Sequence, residues 1–133
     1  MSISVQSTVV CDDVRREDNG KHILIGVYAG ALFLQSIPAA LASLGFYFET
    51  IVEGSHDATV QIQVKSPDGT VIMSAQGEIK FDITYPVSGF GFKAGPVTFA
   101  KEGRYEVLVG FKEPLVVVKT FDVIVREALA KKA

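Results

Sequence analysis

Tryptophan is absent, cysteine occurs once at Cys11, and asparagine once at Asn19. A single thiol excludes a disulfide framework and any multi-cysteine metal site. With tryptophan missing too, it excludes an antibody-type domain, in which a cysteine pair packs on a tryptophan. Neither sign of charge dominates: 13 basic residues stand against 15 acidic ones, for a formal charge of −2. The basic residues are scattered, so the electrostatic footprint of a nucleic-acid binder is lacking. The longest charge-free stretch, between Lys21 and Glu49, is interrupted by Gly26, Gly30, Gln35, Ser36, Pro38, Ser43 and Gly45. Its short apolar runs read as buried strands, not as a membrane span. No N-glycosylation sequon is present, and Met1–Gln6 lacks the basic and apolar regions of a signal peptide. The expected compartment is therefore the cytoplasm.

What is present is alternation. Val60, Ile62 and Val64 alternate with Thr59, Gln61, Gln63 and Lys65, the pattern of a strand with one wet face. Pro67-Asp68-Gly69 supplies a turn, and extended patterning resumes over 71–83 with Gly77 as a bend. Tyr105, Val107, Val109 and Phe111 share one face of a late strand, and Phe121, Val123 and Val125 share one face of the last. Leu108 and Ile124 fall outside those sets, a sign of a second covered surface. Upstream strands are expected over 4–12, 22–28 and 44–52. The segment 36–42 is expected to form a single helical turn capped by Ser36, and the glycine-rich 88–96 a loop. At 133 residues, with 48% hydrophobic composition, one domain over 1–126 is expected, followed by a short tail, 127–133. The fold class is all-β: a two-sheet antiparallel sandwich, immunoglobulin-like, of about eight strands. Glu102-Gly103-Arg104-Tyr105 leans the same way, because it places Tyr105 where a corner tyrosine bonds nearby backbone.

Candidate chemistry is sparse. Ser55-His56-Asp57 spells a catalytic triad, but consecutive extended residues point in alternating directions and cannot converge. Cys11 and His22 flank the charged segment; pairing about Asn19-Gly20 would set Cys11 opposite Tyr28 and His22 opposite Glu17, too far apart for a thiolate–imidazole dyad. Asp12, Asp13, Glu17 and Asp18 offer oxygens to calcium, yet Arg15, Arg16 and Lys21 nearly neutralise them, and a salt-bridge network is the better reading. A two-residue Asn-Gly hairpin would mix charged and core residues on one face, so a bulge or longer loop is expected there. Gly89–Gly95 lacks the strand–turn–helix setting of a phosphate loop, and Phe90 and Phe92 read as packing residues.

The string Cys11-Asp12-Asp13-Val14-Arg15, then Glu17, Asn19-Gly20-Lys21 and Ile23-Leu24-Ile25-Gly26-Val27-Tyr28, resembles the opening of a bacterial family of small domains of unknown function. Ile37-Pro38-Ala39 and Pro67-Asp68-Gly69 are similar as well. The resemblance implies a single-domain, cytoplasmic β-sandwich with no assigned activity, and it carries over no catalytic or ligand-binding residue.

These observations lead to a non-enzymatic binding or assembly module, with no catalytic, cofactor or metal residues assigned. Its expected partners are a second copy of itself and an unidentified protein, with neither nucleic acid nor membrane. The alternative is an ion- or ligand-binding, enzyme-like domain using an acidic end near Asp12 and Asp57.

Overall fold

Alternation becomes strand almost wherever the sequence predicts it. A computed structural model describes residues 2–53, 57–81, 85–111 and 114–126. Among these residues eleven strands follow in order: β1 (Ser2–Arg16), β2 (His22–Val27), β3 (Ala31–Leu34), β4 (Ala39–Leu41), β5 (Leu44–Glu53), β6 (Asp57–Lys65), β7 (Val71–Lys80), β8 (Val87–Ala94), β9 (Val97–Phe99), β10 (Gly103–Gly110) and β11 (Val116–Val125). One sheet has the order β2-β1-β5-β8, the other β3-β11-β10-β6-β7, and β4 with β9 forms a two-stranded ribbon. All pairings are antiparallel except β3 with β11. The expected tail lies outside the described residues.

The sheets face each other across one core. Phe46 and Phe48 of β5 meet Val60, Ile62 and Val64 of β6, Val107 and Val109 of β10, and Phe121 and Val123 of β11. Burial in β6 alternates along the strand, as its period-2 sequence requires. Leu108 is also buried, at a register shift between Val107 and Leu108 where β10 meets β11. The ring of Tyr105 stacks on Phe121 at 5.6 Å and meets Phe99 edge-on at 5.3 Å. Its hydroxyl donates to the Lys101 carbonyl at 2.7 Å, which makes it the corner tyrosine the sequence predicts. Tyr105→Phe leaves that carbonyl unpaired at the edge of the core. Urea unfolding should show a loss of about 1 kcal/mol, and an unchanged midpoint would show that the bond contributes nothing net.

Three expectations need correction. The segment 36–42 is not a helical turn: Ala39, Ala40 and Leu41 pair with Phe99, Thr98 and Val97. Ala39 and Leu41 pack against the core, which outweighs the marginal stability of one isolated helical turn. The segment 88–96 is not a loop, since β8 pairs along nearly all of β5. The strand number also rises from about eight, because β3, β4, β8 and β9 exist only through distant partners.

The glycines of β8 are explained by what lies over them. A Cβ on Gly91 would collide with Val14 Cγ1, and one on Gly45 would stand 2.9 Å from Val14 Cγ2. The far half of the β1–β2 hairpin thus lies over two side-chain-free positions. Gly89 is likewise covered by the Tyr47 ring, which tilts against His22 at 5.0 Å.

Candidate binding cleft

The charged segment resolves into a hairpin with a longer loop. The Gly20 N–H donates to the Glu17 carbonyl at 2.9 Å, and the Glu17 N–H donates to the Lys21 carbonyl at 2.7 Å. Gly20 has φ +90, whereas among the described residues no non-glycine residue, Asn19 included, has positive φ, so Asn19 is not in a type I′ turn. A type I turn followed by a left-handed glycine results, with the Asn19 side chain accepting from the Lys21 N–H. This moves the register by one residue, setting Arg16 opposite His22 and Cys11 opposite Val27.

The acids do not form one network. Asp13 accepts from Arg15 Nε and Lys93 Nζ, each at 2.9 Å. Those bonds, Lys93 first, hold its carboxyl below the usual range, down to about 2. Asp12 instead accepts the Tyr28 hydroxyl, whose pKa is pushed up by burial and by that carboxylate. Glu17 faces Lys21 at 3.7 Å, and Arg16 lies over Gly20. The expected single salt-bridge network is therefore corrected to separate local pairs, because the hairpin splays its alternate side chains to two faces. Among the described residues, no group of three or more His, Cys, Asp or Glu side chains converges.

Other candidates disperse too. Cys11 is buried, its thiol donating to the Asp13 carbonyl and pushed up by burial. His22 is pushed down, first by burial and then by Arg16. Five ladder rungs, about 17 Å, separate the two residues. Ser55 and His56 lie outside the described residues, and Asp57 is exposed at the start of β6, opposite Lys80. Asp12, on β1, lies beside the start of β5, where the Ser43 hydroxyl donates to its carbonyl, while Asp57 follows the end of β5. The length of that strand, on the order of 30 Å, parts them. The expected shared acidic end is thus corrected: the two acids stand at opposite ends of the sandwich. Phe90 and Phe92 point into the core, Phe90 packing on Phe48 at 5.1 Å.

What the fold does assemble is a lateral cleft. β2 pairs with β1 only over Cys11–Arg16, and β3 pairs with β11 only over Asp122–Val125. Below them, the first half of β1 and the first half of β11 each keep one edge without a strand partner among the described residues. Between these edges lies a cleft of about 640 Å³, lined by Ile3 and Val5 on one lip and by Val116, Val117 and Val118 on the other, with Phe111 at one end. Among the described residues, none that lines it is ionisable. Val116 and Val117 are 60% and 46% exposed, high for β-branched apolar side chains in strands. Sequence reading missed this site because it is made by what β2 and β3 leave uncovered. The run Val116-Val117-Val118 beside Pro114 was the available signal.

Two facing sheets, a corner tyrosine, no cysteine pair and a last strand paired in parallel with an early one define an immunoglobulin-like β-sandwich. The chain belongs to the family of unknown function DUF6941, which matches residues 6–124. No curated protein matches it. Among solved structures it is similar to a β-glucosidase from Listeria innocua, at 12% identity and TM-score 0.46, over 94% of this chain and 16% of that one. It is also similar to an immunoglobulin-like protein from Pseudomonas aeruginosa, at 13% identity and TM-score 0.43, over 92% and 97% of the two chains. The chain thus spans 16% of the length of the glucosidase. No helix among the described residues is long and apolar enough to cross a membrane.

Proposed function

We propose that this chain is a non-enzymatic binding module of the bacterial cytoplasm, whose lateral cleft takes up an extended, uncharged segment of a protein partner as an added strand. The two free strand edges facing each other across the cleft carry this reading. A strand laid beside β1 would continue the position that β2 occupies above it. It would satisfy open main-chain groups of β1 and place alternate side chains between Val5 and Val118. Six residues of such a segment would span about 20 Å. An uncharged segment suits the lining, since a buried ion would find no ionic partner among the described residues there. The cytoplasmic assignment draws on the one free, buried thiol.

Panning a displayed library of ten-residue peptides against the intact protein tests the proposal. Peptides of alternating apolar pattern should be enriched. Their binding should be lost in Val117→Lys, which alters an exposed cleft position and leaves the core intact. Enriched peptides that ignore Val117→Lys, or no enrichment at all, would overturn it.

A further inference from the structure

β2 is the outermost strand of its sheet, and its exposed face is apolar. Ile23, Ile25 and Val27 follow one another on the same side at 44%, 42% and 57% exposure. Natural edge strands are usually blunted by lysine, proline or an inward-pointing charge, because an open apolar edge templates pairing. None of these occurs between His22 and Val27. Gly26, at φ +67, twists the strand, yet Val27 keeps its place opposite Cys11.

The stripe is also self-complementary. When two copies of β2 run antiparallel about a two-fold axis through Ile25, Ile25 meets its own equivalent, and Ile23 of each copy meets Val27 of the other. His22 falls opposite Tyr28, and Lys21 opposite Ala29, so no like charges oppose one another. The neighbouring rung positions on β1, Asp13 and Arg15, are already paired with each other, Asp13 with Lys93 as well, and border the stripe with a polar rim. From this match of pattern and charge we infer that β2 is a homodimer interface, at which a second copy of this chain joins edge to edge. The two four-stranded sheets then form one eight-stranded sheet. Such a contact is isologous and closed, so it consumes the edge instead of propagating it. Strands of six residues bury a small area, below about 1,200 Å² in total, which places the dimer among weak, concentration-dependent complexes.

The surface is separate from the cleft, so each proposal stands or fails by itself. The test is sedimentation equilibrium of the intact chain from micromolar to millimolar concentration. The wild type should pass from monomer to dimer. Ile25→Lys and Ile25→Glu should each remain monomeric, because each sets two like charges face to face across the axis. An equimolar mixture of the two should regain a dimer, since lysine then meets glutamate; this also shows that both variants are folded. Val116→Lys, in the cleft, should dimerise like the wild type. A wild type monomeric throughout, a dimer that persists in Ile25→Lys, one lost in Val116→Lys, or a mixture that stays monomeric would each overturn the inference.

Discussion

Phe99→Ala should destabilise the protein by about 3–5 kcal/mol, the range for removing a fully buried phenylalanine. Phe99 is 0% exposed and meets Tyr105 edge-on at 5.3 Å and Phe121 edge-on at 6.4 Å. Alanine forfeits the transfer energy of the ring and leaves a cavity between two aromatic rings that cannot both move in. Tyr105 is tied by its hydroxyl to Lys101, and Phe121 is fixed in the ladder between β10 and β11. β9 has only three residues, so little else holds the ribbon it forms with β4 against the core. Against a typical total of about 5–15 kcal/mol, the loss should move the urea midpoint far down or prevent folding at growth temperature. A loss under about 1 kcal/mol would mean that the ring cluster collapses around the vacancy.

Gly91→Ala should cost about 1–3 kcal/mol, the usual range for overpacking a filled site. The same change at Gly89, two residues away on the same face, should cost clearly less. A Cβ at either position overlaps a neighbour, but the neighbours differ. At Gly91 the obstacle is Val14 Cγ1, on a stiff, buried, β-branched side chain that also fills the space over Gly45. At Gly89 it is the far end of Tyr47, a half-buried side chain that can swing outward. A double-mutant cycle checks the mechanism: Val14→Ala should recover part of the loss in Gly91→Ala, because the two sites compete for one volume. Strictly additive losses, or equal costs at Gly89 and Gly91, would show that the hairpin does not rest on this platform.

Those two glycines also show where sequence reading stops. β6, β10 and the turn around Pro67-Asp68-Gly69 were legible because alternation and turn chemistry act within a few residues. Tyr105 was legible because its bond reaches back only to Lys101. β8 was not: Gly89 and Gly91 look like loop residues until Tyr47 and Val14, distant in sequence, are seen lying over them. β3 and β4 have the same cause, since Ala31–Leu34 is a strand only beside β11 and Ala39–Leu41 only beside β9. For the site, the charged loop drew attention because charge is visible in a sequence, yet its side chains pair locally. The acidic end joining Asp12 and Asp57 failed for want of strand order, which put the full length of β5 between them. The cleft was hidden because it depends on where β2 and β3 end.

β1 is one strand of fifteen residues with two sets of partners, β5 along its first part and β2 beyond Cys11. β2 forms a ladder with β1 alone, whereas β5 is also held by β8 and by the core. The hairpin can therefore detach from its glycine platform as a small cooperative unit while both sheets stay intact, and amide protection should change within a single strand. Residues of β1 facing β5 exchange through unfolding of the whole domain, and those facing β2 through the cheaper opening of the hairpin. The boundary falls near Cys11, whose thiol is sheltered only while the hairpin is closed.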